Sequence, residues 1–382
     1  MIERAFRGTI GYWLWLCFLS ALALAGFISY LRQLDMGLGI TGMGRDVSWG
    51  IYIANFTFFV GIAASSVVVI LPYYLHDYKK FGNLTILGEF LAVTSVIVTI
   101  LFILVDLGMP SRVLNVLIYP SPSSLLFWDM VVLTGYLILN IIIGWWSFDA
   151  RVKEIEPPVW IKPLVYISIP WAISIHTVTA FIYSGLSAKP FWQTALLAPR
   201  FLASAFASGP SVLIILCFIL RRWLGFNMEK DGIKKIIVIV TYALAIHIFF
   251  MLAEIYTLLY SDLPSHRSHL EFLFSGVPGN RFLIPWTWGS TVGSIIAFIL
   301  FLMSCQKRDN LIIFASLITV FSIWLEKGFC LVIGGFIPTP FEEYPKYVPT
   351  IFEVLITLGI YATGGIILTI LYKTVVSFRQ SK

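Results

Sequence analysis

The chain has 382 residues, of which 59% are hydrophobic and 12% charged, with a mean hydropathy of +0.89. An ordinary soluble domain carries about 25% charged residues, so that class is excluded. The net charge of +6 sorts by loop rather than gathering on one face, so no nucleic-acid partner is expected.

Crossing a hydrocarbon core of roughly 30 Å takes ~20 apolar residues in a helix. Such runs span a bilayer as helices because every backbone group is then bonded internally. Ten are predicted, near residues 11–31, 50–74, 85–107, 125–146, 164–183, 201–220, 235–259, 287–303, 311–333 and 350–376. Together they predict an all-α integral membrane protein, one multi-pass transmembrane domain over residues 1–382 with membrane lipid as its surroundings. Of the 26 Lys and Arg, 17 fall on the N-terminus and alternate loops and 9 on the others. By the positive-inside rule both termini are cytoplasmic. The first span follows Arg4 and Arg7 and is longer than a signal core, so it is expected to be retained.

The second span opens at Trp49 and carries Asn55. The third runs outward from Glu89, near its inner end, to Asp106 at its outer end, with Arg112 six positions on. An ionisable group at membrane depth is costly and reads first as part of a site. A carboxylate at a helix C-terminus opposes the dipole by roughly 0.3–1 kcal/mol, so helix stability does not account for Asp106. A structural Asp106–Arg112 clasp is the alternative. Glu89 is either the start of a proton route or, the favoured reading, an interfacial glutamate. Asp129 and Glu353 begin the fourth and tenth spans, where a helix N-terminus welcomes negative charge. That bland reading is favoured for both, with Glu353 kept as a proton-pathway candidate.

His176 lies two-thirds along the fifth span. Imidazole exchanges protons near neutral pH; the alternative is a hydrogen bond across helices. His247, Met251 and Glu254 fall at i, i+4 and i+7, on one face of the seventh span. Glu326 and Lys327 are adjacent and cannot face each other, so each needs a partner on another helix. His247, Glu254 and Glu326 join Glu89 and Glu353 as proton-pathway candidates. Trp49, Trp128, Trp192, Trp286 and Trp288 lie near the outer boundary, as an interfacial belt or a surface for a flat ligand.

Cys17, Cys217, Cys305 and Cys330 stand apart, without cluster spacing. No iron–sulfur cluster and no metal site is expected. His176 and His247 as axial haem ligands are a weak alternative, and no haem is expected. The outer loops, near 32–49, 108–124, 184–200, 260–286 and 334–349, are rich in Gly, Pro, Ser and aromatics, including Pro338 and Pro340. They suit a docking surface for an extracytoplasmic partner or plain connections. Acids and a histidine near one side, reachable from lipid, fit a lipophilic molecule that exchanges protons, such as a quinone. A secondary transporter or ion channel is the alternative, since buried charges also mark translocation paths.

Three segments carry a family resemblance. Ser48–Asn55, followed by Gly61–Ala64, resembles the W-G-x-x-I-A segment of the NrfD/PsrC polysulfide-reductase membrane-subunit family. Asp106–Arg112 resembles its D-x-G-R-P-x-R motif, with Met109 where the family has its first arginine. His176–Phe181, Pro190–Trp192 and Ala198–Phe206 are similar to the DsrP branch. The resemblance implies NrfD-like helix bundles and a subunit without a redox centre of its own. It also implies electron exchange between menaquinone or menaquinol and an extracytoplasmic ferredoxin-like iron–sulfur subunit (DsrO-like), in respiratory sulfur metabolism. Further partners implied are a multihaem cytochrome c (DsrJ-like), a membrane cytochrome b (DsrM-like) and a cytoplasmic heterodisulfide-reductase-like iron–sulfur subunit (DsrK-like). Such a chain is the quinone-site subunit of a membrane oxidoreductase complex rather than an enzyme alone. The expected site is Asp106 and His176 for proton exchange, with Arg112, Trp49 and Asn55 completing the quinone contacts.

Overall fold

The computed structural model describes residues 8–63, 65–75, 81–225, 230–260, 264–304, 309–337, 339, 343–344 and 346–380. Arg4, Arg7, Cys305, Pro338 and Pro340 lie outside the described residues. Ten helices are long and apolar enough to cross a membrane, one for each predicted run. The first is α1 (Ile10–Met36), capped by Thr9, whose hydroxyl accepts from the Tyr12 N–H at 3.4 Å. The second span comprises α2 (Ile51–Ala63) and α3 (Ser65–Leu75). Then follow α4 (Gly82–Asp106), α5 (Leu125–Lys153), α6 (Ile161–Ser184), α7 (Leu197–Leu224), α8 (Lys230–Tyr260) and α9 (Ile284–Ser304). The ninth span is α10 (Asp309–Trp324), continued by a π-helical stretch Leu325–Ile333; the tenth is α11 (Ile351–Gln380).

Hydroxyl residues inside these spans are hidden by their own helices. In α4, Thr94, Ser95 and Thr99 donate to the carbonyls four residues back at 2.7–2.8 Å. This leaves α4 able to bury most of its surface against α2, α3, α5 and α11. Helix ends are set locally: Gly225, at φ 62, takes the left-handed position that closes α7.

Two groups of helices result. The spans from α2 to α6 pack on one another, as do those from α7 to α10. They meet where α2 lies against α7 and the π-helical stretch. Helices α1 and α11 pair beside the first group, at a contact close enough to require glycine. A Cβ on Gly26 would stand 2.6 Å from the Gly359 Cα. Because successive spans alternate in direction, the start of α2, the end of α4, the start of α5 and the end of α6 share one membrane face.

Candidate functional site

Those four helix ends surround a cavity of about 360 Å³. Trp49 and Phe56 contribute from the second span and its entry, Asp106 from the last position of α4, Asp129 from α5 and Tyr183 from the end of α6. Arg112, in the 3₁₀ turn Pro110–Arg112, closes the outer side. The cavity is mostly apolar, with two carboxylates and one guanidinium converging on it, an arrangement that suits a small ligand with polar groups on a flat apolar body.

The charges here are nearly free of one another. The Asp106 Oδ1 is buried without a hydrogen-bond partner. Asp106 and Arg112 line the same cavity, yet no ion pair joins them, so the expected clasp is not made. Asp129 is 4% exposed and its Oδ1 accepts from the Thr179 hydroxyl at 3.1 Å. The bland helix-end reading of Asp129 is therefore corrected: it is the second carboxylate of the cavity. Its signal was a carboxylate five residues inside an apolar run, directly after Trp128.

Trp49 also belongs to an aromatic cluster behind the cavity. It stacks on Trp192 at 5.7 Å and meets Tyr183 edge-on at 5.5 Å, while Phe336 packs against both tryptophans. Trp192 is fully buried and donates from Nε1 to the Leu331 carbonyl at 2.8 Å. Trp128, Trp286 and Trp288 remain exposed, as an interfacial belt would be. The five tryptophans thus divide between two roles.

Two expected members lie elsewhere. His176 is buried one helical turn deeper than Thr179, with neither ring nitrogen hydrogen-bonded, and does not line the cavity. Asn55 points away from the cavity. Its Oδ1 accepts from Trp324 Nε1 at 2.7 Å and from the Tyr361 hydroxyl at 2.5 Å, and its Nδ2 donates to the Ile51 carbonyl. It ties α2 to α10 and α11, and its carbonyl oxygen is committed to that tie.

A second polar cluster occupies the other helix group. Arg200 forms ion pairs with Glu254 and with Glu326, the latter through Nη2 at 2.5 Å. The second Glu326 oxygen meets His247 Nε2 at 2.6 Å. Glu326 and the shared His247–Glu254 face thus find their partners on other helices as the spacing required. Arg200, the hub, was not singled out from the sequence because it sits at the edge of a predicted loop. Lys327 faces away, donating to the Phe201 carbonyl at 3.2 Å and standing over that ring at 4.4 Å.

Glu89 is fully buried, and neither oxygen has a partner, so it is not the interfacial glutamate that the sequence favoured. Glu353 matches its bland reading. It accepts from the backbone N–H of Gly42 and Thr350 at 2.7 and 2.8 Å and from the Tyr347 hydroxyl at 2.7 Å. Tyr347 in turn accepts from the Ile51 N–H at 2.8 Å, pinning the loop onto the start of α2. Burial pushes the Tyr347 hydroxyl pKa up, and the Glu353 charge adds to it. Outside the spans, burial also lowers the Lys189 pKa, partly offset by Asp46. Among the described residues no group of three or more His, Cys, Asp or Glu could hold a metal ion.

A family model described as "Polysulphide reductase, NrfD" matches residues 39–339. The chain is 26% identical to a putative dimethyl sulfoxide reductase membrane subunit of Halobacterium salinarum, over 94% of this chain and 90% of that protein. It is 23% identical to "Hdr-like menaquinol oxidoreductase integral membrane subunit" of Archaeoglobus fulgidus, over 93% and 90%. It is 20% identical to "Menaquinone reductase, integral membrane subunit" of Nitratidesulfovibrio vulgaris, over 97% and 92%.

Proposed function

The chain belongs to the NrfD polysulphide reductase family, and from that premise we propose that it is the quinone-interacting integral membrane subunit of a respiratory electron-transfer complex. The observation that carries the reading is the cavity in which Asp106, Asp129 and Arg112 converge without neutralising one another. A menaquinone ring fits its apolar walls, and Arg112 is placed to donate to a ring carbonyl. Interconverting quinone and quinol moves two electrons and two protons. The two carboxylates can take or supply those protons, Asp106 through an oxygen that has no other partner. Trp49 and Tyr183 close the inner wall and keep water from the deeper span. The names of the Archaeoglobus and Nitratidesulfovibrio relatives support this substrate class.

The finer assignment is a Dsr-type sulfur complex, resting on the His176–Phe206 resemblance. Its partners would be the DsrO-like iron–sulfur protein on the outer loops, with DsrJ-, DsrM- and DsrK-like proteins completing the path. The Hdr-like name of one relative favours the last of these. Glu89, His247, Glu254 and Glu326 are proposed as proton-handling groups should translocation accompany turnover. The cavity face is assigned to the extracytoplasmic side on the Lys and Arg asymmetry. A cysteine engineered at Ser268 should react with an impermeant thiol reagent added outside, and one at Met228, outside the described residues, should not. The reverse pattern would invert this topology.

Asp106→Asn and Asp129→Asn keep the shape of each side chain and remove its exchangeable acid. In the assembled complex each should slow menaquinol-linked electron transfer by roughly 100-fold, the scale of a lost general acid or base. Wild-type turnover in both variants would move the quinone site elsewhere.

A further inference from the structure

A second cavity, larger than the first, lies at mid-membrane depth. It measures about 570 Å³ and sits where α4 and α11 face α7 and α10. Helix α11 packs on α1 and α4, while α10 packs on α7 and α9, so the seam between α10 and α11 stays open. Thr94, Ser95, Gly364 and Gly365 make the wall thin enough to leave space. At the mouth, Leu317 and Phe321 are 49% and 57% exposed and belong to the lipid-facing surface of α10.

The chemistry of the wall decides what can enter. Thr94 and Ser95 donate to the Phe90 and Leu91 carbonyls. Trp324 Nε1 and the Tyr361 hydroxyl both donate to the Asn55 Oδ1. Every side-chain donor on the wall is thus committed, and the helical backbone is bonded to itself. A quinone carbonyl or phosphate oxygen entering here would find no donor to replace the ones it left. A hydrocarbon chain forfeits nothing. Between bulk lipid and an apolar crevice the hydrophobic effect is neutral, but unfilled walls forgo dispersion contacts that a closely fitting chain restores.

We propose that this crevice is a binding site for one acyl chain of a membrane phospholipid, which enters between α10 and α11 and fills the seam between the two helix groups. The proposal is independent of the quinone assignment, because the two cavities have different walls and opposite demands on a ligand.

The test uses the purified complex, stripped of loose lipid by detergent washing and then given dioleoylphosphatidylglycerol. Native mass spectrometry should show one tightly held lipid per copy of this chain. Val320→Trp combined with Val212→Phe fills the crevice and should weaken that lipid by roughly tenfold for every two methylenes kept out. Trp49→Ala at the outer cavity should leave it bound. Unchanged lipid occupancy in the filled variant would overturn the proposal. Should that variant fail to assemble, a phospholipid with a mid-chain diazirine decides on the native chain. Labelling should concentrate on residues 317–324 and 361–368, above the lipid-facing Phe249 and Trp223. Uniform labelling overturns the proposal, as does displacement of the lipid by a naphthoquinone without a tail.

Discussion

The two polar regions of this molecule use similar residues to opposite ends. Around Arg200, a guanidinium, two carboxylates and an imidazole pair with each other, and the neighbouring cavity is only about 40 Å³. Around Asp106 the same kinds of charge stand apart, unpaired, and enclose a space of about 360 Å³. Removing charge from water is expensive in both places. In the first the expense is offset inside the protein, so the cluster is complete without a ligand. In the second it is not, and a ligand with polar groups supplies what the protein withholds. Unsatisfied charge beside open volume is therefore a better guide to a binding site than charge at membrane depth alone.

The largest effect should come from breaking the completed cluster. Arg200→Ala leaves Glu254 and Glu326 buried without their cation, a loss of about 3–5 kcal/mol for a broken buried pair. Thermal unfolding of the detergent-solubilised complex should shift strongly downward or assembly should fail, whereas Asp106→Asn should unfold as the wild type does. If Arg200→Ala retained the wild-type transition and Asp106→Asn did not, the roles given to the two regions would be exchanged.

An intermediate effect should follow at the cavity rim. Arg112 is exposed and makes no ion pair with the described residues, so Arg112→Gln should leave stability unchanged. It should weaken a menaquinone analogue by roughly 10–100-fold, the value of one charged hydrogen bond of about 1.5–3 kcal/mol. Titration of the analogue against the assembled complex measures this; an unaltered affinity would remove Arg112 from the site.

The sequence made the ten spans legible because each apolar run is long enough to cross and is bounded by charge. Depth was legible too, which is why Trp49, Asp106 and Arg112 were found at one end. What a one-dimensional reading lacks is the direction each side chain takes around its helix. Asn55 lies at the right depth but on the face of α2 that meets Trp324 and Tyr361. Asp129 had a sufficient local explanation, and only the packing of α4, α5 and α6 reveals it opposite Asp106. Arg200 becomes a hub only because α7, α8 and the π-helical stretch converge. The π-helical turn that presents Glu326 follows no apolar period from which it could be anticipated.

The smallest predicted effect probes the one hydrogen bond that the cavity's carboxylates do make. The Thr179 hydroxyl has a single proton and two acceptors in reach, the Ile175 carbonyl at 2.7 Å and Asp129 Oδ1 at 3.1 Å. The shorter contact is the backbone one, so Asp129 holds only a weak claim on that proton. Thr179→Val keeps the volume and removes the hydroxyl, while Thr179→Ser keeps the hydroxyl and removes a methyl group. If Asp129 is as nearly free as its geometry indicates, Thr179→Val should cost about 1 kcal/mol at most, the net value of one neutral hydrogen bond, and slow quinol turnover only about fivefold. Thr179→Ser should restore the wild-type rate. A loss in Thr179→Val as large as that of Asp129→Asn would mean that Asp129 works only when held by this bond. The contrast between an open cavity and a closed cluster would then be one of degree.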